Sequence, residues 1–202
     1  MGDFRKVLAA IHFPTLEEEV LELWDETNAF TRSVEERSSD RQYVFYDGPP
    51  FPTGSPHYGN LLAGVIKDII PRYWTMRGFR VERRFGWDTH GLPIEMEVEK
   101  ALGISGPRQI SEYGIGPFNE ACRALVQTNT ENWETVTRRL GRWIDFRNDY
   151  KTMDLPFMET VWWVFKRLWD SGWVYKAFKV LPYSWGATTP LSNFEVNLGG
   201  YR

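Results

Sequence analysis

Residues Tyr43–Asp47 (YVFYD) are β-formers on both faces, and the chain passes from them straight into the loop GPPFPTGSPHYGN, Gly48 to Asn60. A run that is apolar on both sides predicts a strand buried within a parallel sheet. From His57 the spacing turns helical, with Leu61, Leu62, Val65, Ile66, Ile69, Ile70, Tyr73 and Met76 on one broad stripe. Pro71 removes a ladder bond inside this helix, and Gly78 ends it. A short strand over about Arg80–Phe85 follows and runs into GWDTHGLP. Strand, loop, helix and strand over this length specify a βαβ unit with a right-handed crossover. Both loops then leave the carboxyl ends of parallel strands, where open α/β sheets bind ligands.

The flanks read as helical. Thr15–Phe30 is predicted as a helix, capped by Thr15 with Glu18 completing a capping box, and with Leu16, Val20, Leu23 and Thr27 at helical spacing. Ser33–Arg41 is polar and reads as a loop. Pro93–Leu102 is a short helix. Phe118–Leu140 is a long one that turns Phe118, Cys122, Leu125, Val126, Trp133, Val136 and Leu140 inward. A third begins at Asp154, stops at Gly172, and is expected to bury Met158, Val161, Trp162, Phe165, Leu168 and Trp169. Trp173–Leu181 is strand-like, and the sequence ends at NLGGYR without a closing element. A parallel sheet of two or three strands leaves apolar edges open, so a fragment is expected.

The totals narrow the function. A chain of 202 residues with ten tryptophans can build a sizeable core. A net charge of −3 supplies no global attraction to nucleic acid. The one cysteine, Cys122, cannot form an internal disulfide, and no Cys/His cluster has metal-ligand spacing. No apolar run is long enough for a signal peptide or a membrane span, so the expected location is the cytoplasm. Arg80, Arg83 and Arg84, and likewise Arg138, Arg139 and Arg142, are read as solvated basic faces.

The chemistry concentrates in the two loops. Pro49, Pro50, Pro52 and Pro56 fix φ, so the first loop loses little entropy on ordering. Gly48, Gly54 and Gly59 allow close backbone approach to a ligand. His57 and Asn60 sit at a helix start, where free N–H groups and the dipole favour phosphate. The plainer alternative is that His57 caps the helix and the prolines shape a turn. In the second loop Asp88 can pair with a ligand ammonium, or Asp88 or Thr89 can cap the following helix. One crevice between the loops would hold a zwitterion beside a nucleotide.

These segments resemble a known family. YVFYDGPPFPTGSPHYGN is similar to the His-x-Gly-His signature loop of the class I aminoacyl-tRNA synthetases. GWDTHGLPIE, WWVFKRLWDSGWVYK and TPLSNFEV resemble later segments of the isoleucyl branch, in the same order. The resemblance runs from about Val20 to the end and implies the first half of a Rossmann-type α/β catalytic domain. Residues 1–42 would form an N-terminal helical segment. Residues 43–202 would form the catalytic half with its helical insert, stopping near the expected start of an editing insertion.

The implied reaction is activation of L-isoleucine by ATP with Mg²⁺, then transfer of the acyl group to tRNA(Ile). By motif match, His57, Gly59 and Asn60 would bind ATP, with His57 and Asn60 assisting catalysis at the phosphates. Gly48 and Pro49 would line the amino-acid pocket, and Asp88 would hold the α-ammonium. No protein-bound metal is implied in this segment. Asn60 departs from the usual histidine and cannot carry positive charge. The sequence contains no Lys-Met-Ser-Lys-Ser loop, and the main tRNA-binding surface would lie downstream. The 202 residues alone are therefore expected to be inactive. A valyl- or leucyl-type enzyme and a non-catalytic nucleotide-binding module are the alternatives.

Overall fold

A computed structural model describes residues 10–186, 188–193 and 196. The closing NLGGYR segment and part of TPLSNFEV lie outside the described residues. The elements run α1 (Phe13–Glu26), α2 (Ala29–Glu35), α3 (Tyr58–Met76), β1 (Arg84–Trp87), α4 (Leu92–Leu102), α5 (Gly106–Tyr113), α6 (Ile115–Arg139), β2 (Asp145–Lys151) and α7 (Leu155–Asp170), then a small antiparallel pair, β3 (Tyr183–Ser184) and β4 (Thr189–Pro190). The architecture combines helices with a two-stranded parallel sheet, β1 and β2.

The sheet itself differs from expectation. β1 pairs in parallel with β2, a strand that the polar sequence DFRNDYK conceals. The register jumps from Arg84↔Asp145 to Gly86↔Tyr150, so β2 carries a bulge. Asp145 builds it by accepting from the Arg147 and Asn148 amides at 2.8 and 3.1 Å and from Asn148 Nδ2 at 2.6 Å. Partial burial pushes the Asp145 carboxyl up. The bonds from Asn148 and Arg147, with Arg84 nearby, outweigh that and hold it below the ordinary carboxylate value.

Tyr43–Asp47 is not a buried strand. It runs extended beside residues 80–88, joined by one isolated parallel bridge, Gln42↔Arg80, with the Tyr43 amide donating to Arg80 O at 3.0 Å. Val44 and Tyr46 are 75% and 81% exposed, because no described strand lies on the outer side. The predicted strand Arg80–Phe85 shifts to Arg84–Trp87. Trp173–Leu181 forms no strand, for the same want of a partner, and Phe178 and Val180 stand in solvent.

Helix positions follow local chemistry well. α3 starts at His57 and ends before Gly78, whose φ is +84°. α4, α6 and α7 match their predicted spans within a few residues. α1 is capped at His12, two residues before Pro14, and Thr15 instead bonds the His12 ring at 2.8 Å. α2 takes up Ser33 to Glu35 from the expected loop, and Ser33 Oγ turns back to Phe30 O.

Burial was harder to foresee. The core is aromatic: Phe85, Trp87, Trp133 and Ile144, with Phe146 against them. Phe85 lies 4.5 Å from Trp87 and 4.4 Å from Phe146 between ring centroids. α4 packs on α6 and buries Ile94, Val98, Phe118 and Val126. By contrast α7 buries none of its residues, contrary to its periodicity, and Trp162 is 61% exposed. The α3 stripe is likewise open at Leu62, Val65, Ile66, Ile69, Ile70, Tyr73 and Met76. An amphipathic pattern states which face wants cover, and no described element covers these two. Leu140 is also exposed, and Cys122 and Val136 are half-buried.

The basic residues divide unexpectedly. Arg80, Arg84, Arg138 and Arg139 are at or near the surface as read, the last three fully so. Arg83 is 2% exposed, with Nη2 donating to Thr75 Oγ1 at 2.5 Å and with Nε and Nη1 lacking a described partner. Burial lowers its pKa to about 10, an effect Asp68 only partly offsets. The rings of Phe30 and Trp143 face this cation.

Asp145 yields a pH prediction. Its folded pKa is depressed, so its contribution is present above the unfolded value of about 3.9 and is lost as pH falls through the folded one. Urea midpoints measured from pH 7 to pH 2 should fall less steeply in Asp145→Asn, which starts from a lower midpoint at pH 7. An acid limb identical to that of the parent protein would refute this account of the bulge.

Candidate active site

The first loop is held by residues that no local motif identifies. At its entry the Asp47 side chain is fully buried, with Oδ1 3.0 Å from both Lys67 Nζ and Arg142 Nη2. Oδ2 accepts from the Gly86 amide at 3.4 Å, and Lys67 Nζ also donates to Gly48 O at 2.5 Å. Arg142 is itself nearly buried, not part of a solvated face. Further along, three α6 side chains donate to the loop: Asn129 to Pro52 O at 2.7 Å, Asn132 to Ser55 Oγ at 2.9 Å and Trp133 Nε1 to Gly54 O at 2.9 Å. Gly54 needs its freedom at φ +61°. The prolines limit the loop's own conformations, and this scaffold chooses among them.

At the loop's exit His57 is the N-cap of α3 in a reciprocal capping box. The Asn60 amide donates to His57 Nδ1 at 3.3 Å, and the His57 amide donates to Asn60 Oδ1 at 3.0 Å. The plainer reading of His57 is therefore realised, and it is compatible with ligand binding. An accepting Nδ1 carries no proton, so the neutral ring bears its proton on Nε2 and can donate it outward. His57 is exposed, and the Tyr58 and Gly59 amides have no described internal partner. Gly59 matters sterically. A Cβ there would lie 3.0 Å from His57 Cε1 and 3.1 Å from Nδ1, so the ring would have to give by a few tenths of an ångström.

Asp88 lies at the carboxyl end of β1, half-buried, and its carboxylate makes no bond to the described residues. Neither it nor Thr89 caps α4, whose N-cap is Gly91 at φ +86°. The Asp88 amide donates to Pro50 O at 2.9 Å, which ties Asp88 to the first loop beside Pro49. His57, Gly59 and Asn60 stand at the loop's far end. Of two cavities beside the loops, one of about 50 Å³ lies under Pro50, Pro56 and Asn60, against Lys67, Trp133 and Arg142. The other, about 210 Å³, lies past Asp88 among His90, Glu95, Cys122 and Met153. Neither takes in both His57 and Asp88. Burial, and then Glu95, push the Cys122 thiol up, which makes it a weak nucleophile.

Sequence reasoning missed Asp47, Lys67, Arg142 and Tyr150. The aspartate ending a strand-like run, just before the glycine, was the available signal. Among the described residues no group of three His, Cys, Asp or Glu could hold a metal ion, and no helix is long and apolar enough to cross a membrane.

Comparison with known proteins adds the following. The family model described as tRNA synthetases class I (I, L, M and V) matches residues 19–201. The chain is 52% identical over 199 residues to an isoleucine--tRNA ligase of Treponema denticola, covering 98% of the chain and 18% of that protein. It is 56% identical over 185 residues to one of Mycobacterium tuberculosis, covering 92% of the chain and 18% of that protein. A cytoplasmic isoleucine--tRNA ligase of Arabidopsis thaliana is 56% identical over 183 residues, with 91% and 15% covered. The chain thus spans under a fifth of these relatives' length. A solved ternary complex of an Agrobacterium radiobacter LeuRS with tRNA and LeuAMS shares the fold at a TM-score of 0.62 and 19% identity, covering 87% of this chain and 20% of that one.

Asp47 generates a prediction. Asp47→Asn leaves two clustered cations without their carboxylate, and breaking such a buried pairing costs about 3 kcal/mol. Urea denaturation followed by tryptophan fluorescence should record that loss. A change below about 0.5 kcal/mol would mean that the loop is held by its other bonds.

Proposed function

Because this chain belongs to the class I tRNA synthetases of the isoleucine, leucine, methionine and valine group, we propose that it supplies the ATP- and amino-acid-binding portion of an isoleucine--tRNA ligase. The observation that carries the isoleucine assignment is 52–56% identity to isoleucine--tRNA ligases across nine-tenths or more of the chain. We read residues 1–42 as an N-terminal segment and 43–202 as the first half of the catalytic domain, working in the cytoplasm.

The reaction is attack of the L-isoleucine carboxylate on the α-phosphate of ATP, which arrives with Mg²⁺ as a substrate. Pyrophosphate leaves, and the acyl group later passes to tRNA(Ile). The protein's share is positioning and stabilisation of developing phosphate charge. His57 Nε2–H and the free amides of Tyr58 and Gly59 aim at the phosphates from the positive end of α3. Asn60 acts through His57, accepting from its amide and donating a backbone N–H to its ring. That division of labour needs no charge on residue 60. Gly48 and Pro49 border the amino acid, and the unpaired Asp88 carboxylate takes its ammonium.

The test is a segment swap. Residues 1–202 replace the matching segment of the Treponema denticola isoleucine--tRNA ligase, and ATP–pyrophosphate exchange is driven by isoleucine, valine or leucine. Isoleucine should support exchange ahead of the other two, while the 202 residues alone stay at background. Asp88→Ala in the swap should lower kcat/KM for isoleucine by roughly 30- to 150-fold, the loss of about 2–3 kcal/mol for a charge-assisted bond. A folded swap that prefers valine or leucine, or ignores Asp88→Ala, would overturn the assignment.

A further inference from the structure

Two side chains, Tyr150 near the end of β2 and Thr152 just past it, reach the two loops. Tyr150 Oη donates to Asp47 O at 2.7 Å, immediately before Gly48. Thr152 holds the second loop: the Thr89 amide donates to Thr152 Oγ1 at 2.9 Å, the two hydroxyls are 3.0 Å apart, and the Thr152 amide donates to Trp87 O at 3.0 Å. Asp88 is thereby clamped between two bonded neighbours. The Tyr150 ring also occupies the space above Gly86. A Cβ on Gly86 would lie 2.2 Å from Tyr150 Cζ, so only glycine lets the ring lie there. The ring also stacks on Phe157 of α7, 5.8 Å between centroids and 3° between planes.

We propose that Tyr150 is a positioning residue for the amino-acid half of the site, setting the distance between the Gly48–Pro49 backbone and the Asp88 carboxylate. It touches neither the ammonium nor ATP. It fixes the peptide leading into Gly48 while Thr152, one residue past its strand, fixes the far side of Asp88. Burial first, and then the charge of Asp47, push its phenol up, so the hydroxyl remains a donor into the alkaline range. The inference rests on the synthetase reading for its ligand and on the geometry alone for its mechanics.

The experiment uses the 202-residue chain and Tyr150→Phe, which keeps the ring against Gly86 and Phe157 and removes only the hydroxyl. Isoleucyl-sulfamoyl adenosine and ATP are titrated separately by NMR. Amide hydrogen exchange is read at Gly86, bonded to Asp47 Oδ2, and at Asp88, bonded to Pro50 O. We expect the analogue's Kd to rise about tenfold, the ATP Kd to hold within twofold, and exchange at both amides to quicken. Equal weakening for both ligands would mark a general structural role and overturn the proposal, as would an unchanged analogue affinity. If the parent chain binds neither ligand, the synthetase reading is untouched, because the chain spans under a fifth of its relatives' length. Exchange then decides alone: faster at Gly86 and Asp88 supports the positioning role, and unchanged rates refute it.

Discussion

A single buried carboxylate organises this structure. Asp47 stands where the extended segment enters the proline loop, and its side chain bonds to α3, β1 and the turn into β2. Its charge is matched by Lys67 from the crossover helix and Arg142 from beyond α6. Its own backbone carbonyl is taken by Tyr150. Burying a charge is costly unless its partners are all present. The arrangement is therefore close to all-or-none, and it reports whether the βαβ unit, α6 and β2 have come together correctly. A loop built from prolines has few conformations to choose among, and this node chooses one.

The division of the two loops follows from that node. The first is tied along its whole length, to Lys67 at Gly48, to α6 at Pro52, Gly54 and Ser55, and to its own helix at His57. What it leaves unbonded is chemically useful: the outward edge of the His57 ring, two amides at a helix start, and across the Pro50–Asp88 bond a free carboxylate. A scaffold that satisfies its own polar groups and spares a few at the strand ends has them ready for a ligand. The uncovered apolar faces of α3 and α7 belong to a different level of organisation. They are surfaces whose sequence asks for a neighbour.

Misreadings cluster where distant residues meet. Arg83 and Arg142 looked like members of solvated arginine groups because a sequence displays charge and hides burial. Arg142 finds its partner 95 residues earlier. β2 was hidden because Arg147, Asn148 and Asp149 are polar, although they form the bulge and the aromatic residues Phe146 and Tyr150 face inward around it. Trp162 and Trp169 had the spacing of a core stripe, yet spacing predicts a buried face only when something packs against it.

Read alone, the sequence determined what short-range chemistry controls. It placed the start of α3 at His57 and its end at Gly78, the extents of α4 and α6, and the second glycine-bearing loop at a strand end. Capping, fixed φ at proline and positive φ at glycine act within a few residues, so they are legible one residue at a time. Tertiary structure alone decided which carboxylate anchors the loop, which arginines are buried, that a polar segment pairs as β2, and that a tyrosine spans the gap left by Gly86. Those outcomes depend on groups 62 to 103 residues apart coming together, where desolvation makes each contact worth having only if the others form.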